Sequence, residues 1–306
     1  MLRTTALPCA PTPGRLSEGP VWDPRTQQLL WVDITAGNIH RGTLTARGDG
    51  TGLPDIAVLE TVGFPDTVGA VLPSWSGALI AAVGTSIVSV TPSGRSTIAA
   101  LPVDTDGIPR RFNDAACDPL GRLFVGTMAL DTTPGAGTLY RLDPAGLRPV
   151  LWPVTISNGL AWSPSGRQMY YADSPTGRVD VFDYDRVTGT PYGRRPFAHF
   201  TTGVPDGLTV DARGNLWVAL WGAGEVRAFT PEGSPFAVVD VPAPNVSSCA
   251  FAGPGLDVLV ITTAREELSP SQLRRQPDSG RLFVCRPGTT GQTADLYESQ
   301  KPETTA

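Results

Sequence analysis

The apolar positions of this chain come in short runs, and the runs come in pairs joined by polar turns. Val21-Trp22 is followed, after Asp23-Pro24-Arg25-Thr26, by Leu29-Leu30-Trp31-Val32-Asp33. Asp118-Pro119-Leu120-Gly121 leads into Leu123-Phe124-Val125-Gly126-Thr127, and Ser163-Pro164-Ser165-Gly166 into Met169-Tyr170-Tyr171-Ala172-Asp173. Asp211-Ala212-Arg213-Gly214 leads into Leu216-Trp217-Val218-Ala219-Leu220. In such turns Asp or Ser caps the first position, Pro presets the φ of the second and Gly takes the positive φ at the end. Each pair therefore predicts a β-hairpin. Further strands with period-two alternation are expected over 137–142, 179–184 and 224–229. No amphipathic helix of three turns is visible, and only residues 265–275 could hold a helical turn or two.

The hairpins repeat. Just ahead of each first apolar strand stands a short motif: Ser17-Glu18-Gly19-Pro20, Thr67-Val68-Gly69-Ala70, Phe112-Asn113-Asp114-Ala115, Ser157-Asn158-Gly159-Leu160, Pro205-Asp206-Gly207-Leu208 and Val246-Ser247-Ser248-Cys249. The second residues of these six copies are spaced by 50, 45, 45, 48 and 41 positions. A non-helical repeat of that length is a propeller blade, which predicts an all-β, six-bladed β-propeller forming a single domain over 1–306. A propeller must join its ends to avoid an open sheet edge, so residues 4–9 are expected to add a strand. Residues from about 288 to 306, rich in Thr, Gly and Gln, read as closing strand material and a disordered tail.

In a propeller the innermost strands converge on the axis, so the six second residues form one ring. Glu18, Asn158 and Asp206 offer it two carboxylates and an amide oxygen, and Asn113 adds a fourth polar member. Carboxylates gathered this closely repel, and a divalent cation is the simplest way to keep both ionised. A set of oxygen donors without His or Cys favours a hard ion, Ca²⁺ first and Mg²⁺ or Mn²⁺ next, with water-completed Zn²⁺ still open. The bland alternative is that Asn158-Gly159 and Asp206-Gly207 are ordinary turn formers. Glu18 is a poor turn residue, and the shared repeat position of all three favours the metal. Val68 and Ser247 show that the whole ring need not bind.

These residues resemble the SMP-30/gluconolactonase/regucalcin family along nearly the whole chain. The resemblance rests on Ser17-Glu18-Gly19-Pro20 with Trp31-Val32-Asp33-Ile34, and on Arg111-Phe112-Asn113-Asp114 with Asp118-Pro119 and Gly126-Thr127-Met128. It continues in Ile156-Ser157-Asn158-Gly159-Leu160 with Tyr171-Ala172-Asp173-Ser174, in Val204-Pro205-Asp206-Gly207-Leu208 and in Ser247-Ser248-Cys249-Ala250-Phe251. It implies a metal-dependent hydrolase that opens a sugar lactone to the aldonic acid. Glu18, Asn158 and Asp206 would be the metal ligands, and Arg111 and Asn113 would hold substrate. The family also carries a carboxylate soon after Gly-Thr-Met and a Lys ten residues before the ligand Asn, where this chain has Asp131 and Arg148. Both keep the charge but change reach and geometry. In this reading the cation polarises the lactone carbonyl, and either Asp206 or a hydroxide held on the cation activates water. A non-catalytic calcium- or ligand-binding propeller is the rival reading. A third keeps the metal site but gives it esterase or organophosphatase activity.

Composition narrows the chemistry further. His40 and His199 are the only histidines and Lys301 the only lysine, which argues against a histidine triad, a His-ligated zinc site and Schiff-base catalysis. The formal charge of -5, with scattered Arg residues, gives no footprint for nucleic acid. Four widely spaced cysteines suit reduced, buried thiols in a cytoplasmic protein, and no signal peptide or long apolar stretch is present. The expected partner is a small sugar lactone, with no nucleic acid and no membrane, bound by a monomer or weak homo-oligomer.

Overall fold

A computed structural model describes residues 1–9, 12–102 and 106–299. It is a six-bladed β-propeller whose blades are antiparallel sheets laid out from the axis outward in chain order, except where N-terminal strands are added at the outer edges of blades five and six. The innermost strands of blades one to six are Ser17–Asp23, Val68–Pro73, Arg110–Cys117, Ser157–Trp162, Val204–Val210 and Val246–Ala252. The predicted hairpin turns are present. Gly121, Gly166 and Gly214 donate their N–H groups to Asp118, Ser163 and Asp211 at 2.8, 2.7 and 2.9 Å, and all three have positive φ. The Asp118 and Asp211 carboxylates also accept from the turn amides of Leu120 and Arg213.

The core is divided among the seams. Six apolar clusters fill the six junctions between neighbouring blades. The cluster between blades three and four, for example, packs Phe124, Trp162 and Tyr184 edge to face. Burying apolar side chains between the faces of adjacent sheets is the main cohesive force of the ring. A single helical element beyond one turn, Pro270–Arg275, lies among the described residues, within the expected stretch, and is opened by a Ser269 and Gln272 capping box.

Closure departs from the expectation for residues 4–9. They are split between two blades. Leu2–Thr5 pairs in parallel with Pro235–Asp240 as a fifth, outer strand of blade five. Leu7–Pro8 is the outermost strand of blade six, opposite Phe283–Cys285. The first residues thus complete the last blade and seal the circle. Of the closing strand material expected from about 288, the described residues 288–299 form isolated bridges and no strand. This segment joins no blade and instead crosses the lower end of the channel, with Gly291 bridging Asp211 and Tyr297 bridging Ser74. Gly291 donates to Leu256 O at 2.7 Å and Glu298 to Gly121 O at 2.9 Å, so the strap spans from blades five and six to blades two and three. The tail beyond Ser299 lies outside the described residues.

One local irregularity recurs in all six blades. Pairing between the first and second strands slips between Glu18 and Val21, Val68 and Ala70, Phe112 and Ala115, Ser157 and Leu160, Pro205 and Leu208, and Val246 and Ser248. A bulge inserts an unpaired residue and re-aims the side chains beside it. This places Asn158-Gly159 and Asp206-Gly207 inside strands, not in turns. The glycines serve close approach. A Cβ on Gly159 would meet Leu208 N at 2.8 Å and run into the Asp206 carbonyl, and one on Gly69 would sit 2.6 Å from Phe112 O.

Candidate metal centre and active site

The bulges bring Glu18, Asn113, Asn158 and Asp206 to the upper end of the channel, each 6 or 7% exposed. The Glu18 and Asp206 carboxyl groups lie close enough to act on one another, and Asn158 acts on Asp206. Glu18 Oε2 accepts from the Gly19 amide at 2.6 Å. Burial, and then neighbouring carboxylates, push both acids well above their ordinary range: Asp206 and Asp114 act on Glu18, and Asp114 acts on Asp206. Two carboxyl groups buried this close together resist ionising at the same time.

The donor set fits a hard dication. It supplies two carboxylates and one amide oxygen, the ligand types that Ca²⁺ and its relatives prefer. Among the described residues no three His, Cys, Asp or Glu side chains form a metal-binding group, so any ion here depends on Asn158 as third donor. The Asn158 amide nitrogen is tied down: Nδ2 donates to Ser174 Oγ at 2.9 Å, and Ser174 is itself 5% exposed. Val68 and Ser247, the two ring positions with no candidate role, are wholly buried, and Ser247 Oγ donates to Ser17 O at 2.6 Å. His40 stacks on Trp31 in a third strand and His199 lies on a fourth strand, so neither belongs to the ring.

Arg111 stands one blade position above the ring. Its Nη1 donates to Phe112 O at 3.0 Å and to Asn113 Oδ1 at 2.8 Å, while Asn113 Nδ2 donates to Ser157 O at 2.9 Å. Asn113 therefore acts as a bracket that fixes the guanidinium, with both ends of its amide engaged. Burial lowers the Arg111 pKa, and the negative charges of Glu266, Glu18 and Asp206, in that order, oppose the fall. Below the ring lies a cavity of about 230 Å³, lined by Asp114, Cys117, Trp162 and Cys249 and floored by Gln292 to Asp295 of the strap. Burial raises the Asp114 carboxyl to about 6, partly offset by a hydrogen bond from the Ala115 amide.

Residues 16–265 match the model of the SMP-30/gluconolactonase/LRE-like region. The chain belongs to this family. Human regucalcin is 34% identical over 278 residues, covering 88% of this chain and 90% of that protein. An uncharacterized protein of Sulfolobus acidocaldarius is 36% identical over 282 residues, covering 91% and 94%. Among solved structures, a calcium-binding protein, regucalcin, from Agrobacterium tumefaciens superposes with a TM-score of 0.85 at 26% identity, covering 97% of this chain and 99% of that one. A luciferin-regenerating enzyme superposes at 0.82 with 29% identity over 94% and 96%.

Two family-based expectations meet the structure differently. Asp131 lies on the same face as the ring, but it is exposed and committed to its own turn, accepting from Thr133 N at 3.0 Å and Thr133 Oγ1 at 2.7 Å. Those bonds hold its carboxyl below the usual range. Arg148 is a correction. It is exposed on Gly146–Val154, the outermost strand of blade three, opposite Arg141 near the lower end of the blade. The sequence distance to Asn158 spans most of an outer strand and a blade crossing, so Arg148 does not join the site.

Sequence reasoning missed Ser174 and Glu266. For Ser174 a signal existed: Tyr171-Ala172-Asp173-Ser174 is the blade-four counterpart of Trp31-Val32-Asp33-Ile34, with a hydroxyl where blade one has an apolar residue. Glu266 gave only the pair Glu266-Glu267 after an apolar strand, which also describes any solvated loop.

Proposed function

We propose that this family member is a metal-dependent lactonase that hydrolyses a sugar lactone to its aldonic acid. The observation that carries the proposal is the meeting of Glu18, Asn158 and Asp206, from blades one, four and five, as buried oxygen donors beneath an arginine. These three would hold one divalent ion, Ca²⁺ first, with Zn²⁺, Mn²⁺ and Mg²⁺ as alternatives. When bound, the ion supplies charge that polarises the lactone carbonyl and stabilises the oxyanion formed on attack. Asp206 takes the proton of the attacking water, since no histidine belongs to the ring and Glu18 Oε2 is already engaged by the Gly19 amide. Arg111, held by Asn113, uses its free donors on the sugar oxygens. Four free, buried thiols suit a cytoplasmic setting.

The test is a pH-indicator assay on gluconolactone, xylonolactone, galactonolactone and arabinonolactone, with chelated protein and each metal restored in turn. We expect turnover only with metal, and none for Asp206→Asn although that variant folds. Turnover at the parental rate by Asp206→Asn would overturn the assignment. The description of the Agrobacterium relative as calcium-binding supports a second reading, a non-catalytic calcium-binding propeller. Tight metal uptake without hydrolysis of any lactone, aryl ester or phosphotriester would favour it.

A further inference from the structure

The mouth above the ring has two sides. Arg111 belongs to blade three. Directly across the axis stands blade six, whose second strand, Val258–Thr263, runs upward and delivers the chain to Glu266 on the same face as the ring. The backbone there is tightly fixed. Ala264 bridges Leu16 and donates to Asn245 O at 2.9 Å, and the Arg265 amide donates to Arg15 O at 2.8 Å. Asn245, 5% exposed, donates its side-chain Nδ2 to the Glu266 carbonyl at 2.9 Å. A loop so anchored presents its side chain from a fixed point.

The Glu266 side chain is half-buried, and among the described residues its carboxylate has no hydrogen-bond or ion-pair partner. It does not pair with Arg111, yet its charge acts on that guanidinium more strongly than Glu18 or Asp206 does. A carboxylate on one side of the mouth and a guanidinium on the other, over a hard-ion site, suit a ligand that is neutral and rich in hydroxyl groups. Its carbonyl side would meet donors and its hydroxyl side would meet an acceptor. A ligand carrying its own carboxylate would place like charges together at low dielectric, which specificity devices commonly exploit.

We propose that Glu266 is a specificity-determining residue. From the rim opposite Arg111 it accepts a hydrogen bond from a hydroxyl of a neutral aldonolactone and excludes lactones of aldaric or uronic acids. This inference rests on the lactonase reading and narrows its substrate class.

The experiment compares the holoenzyme with Glu266→Gln and Glu266→Asp on glucono-1,5-lactone, the carboxylate-bearing saccharo-1,4-lactone and the hydroxyl-free δ-valerolactone. The expected parental order favours the neutral sugar lactone. Glu266→Gln should lower the ratio of kcat/KM for gluconolactone over saccharolactone about tenfold or more, mainly through KM, and Glu266→Asp should restore much of it. Calorimetric metal affinity and thermal unfolding like the parent's would show that site and fold are intact. If the parent opens the lactones but the ratio is the same in Glu266→Gln, the role of Glu266 is wrong and the lactonase reading stands. If the parent opens none of them with any metal, both fall together.

Discussion

Removing the hydroxyl of Ser174 should weaken metal binding without touching any metal ligand. Asn158 has one oxygen to offer a cation, and the orientation of that oxygen is decided by where its amide nitrogen is held. Ser174 Oγ holds it at 2.9 Å, with Asn158 6% and Ser174 5% exposed, so water cannot readily substitute. In Ser174→Ala the nitrogen loses a buried acceptor, a change that costs about 1–3 kcal/mol. At about 1.4 kcal/mol per factor of ten, that is roughly 5- to 150-fold in affinity if the whole cost falls on the bound state. Loss of the outer-shell partner of a ligand typically weakens binding by about 10–100-fold, in the same range. Calorimetric titration of chelated protein with Ca²⁺ and Zn²⁺ measures the effect, and unfolding in chelator shows how much falls on the fold instead. A second titration with Ser174→Thr, which keeps a hydroxyl, should recover part of the loss. An affinity within about twofold of the parent, with stability unchanged, would refute the argument that Ser174 orients Asn158.

Other consequences are open to direct measurement. Gly159→Ala should destabilise the fold by about 1–3 kcal/mol, because its Cβ meets the blade-five backbone, whereas Gly255→Ala, whose Cβ would have 3.5 Å to Asp257, should be near neutral in denaturant titrations. The raised carboxyls of Glu18 and Asp206 bind protons more strongly folded than unfolded. Chelated protein should therefore be stable below their ordinary values of 4.5 and 3.8 and lose stability as pH rises through the raised ones. Asp206→Asn should then raise the melting temperature of chelated protein at neutral pH while abolishing metal-induced stabilisation; a lower melting temperature of the chelated variant would contradict the sign. Arg111→Ala should raise KM for sugar lactones several-fold with metal affinity little changed, and an unchanged KM would remove Arg111 from substrate binding.

What the residues declare in advance, and what they withhold, follows from the range of the forces involved. Turn chemistry is local, so Asp118-Pro119-Leu120-Gly121 and its counterparts identified the hairpins, and their spacing identified the blades. The ring was readable because repetition turns a single Glu18 or Asp206 into a position shared by six copies. Asn-Gly and Asp-Gly were ambiguous because a turn and a tightly packed bulge both need a residue without bulk; only the neighbouring blade's backbone decides between them. The split of the first residues between blades five and six was hidden, since edge pairing is made by backbone groups that carry no side-chain signature. Arg148 was misplaced because counting back from Asn158 measures chain, not space. Glu266 depended on which blade faces which across the axis, a relation that exists only once the circle is closed.

The two-residue strand Leu7–Pro8 has a reach beyond its size. It finishes the sheet of blade six on the outside, while Cys9, just after it, is buried in the seam that blade six shares with blade one, the blade that carries Glu18. The opening residues are thus a clasp, and whatever peels them away, a protease or a shortened expression product, acts on the donor cluster from the rim. Loss of ion binding on trimming the first eight residues, with all three donors still in the chain, would be its signature.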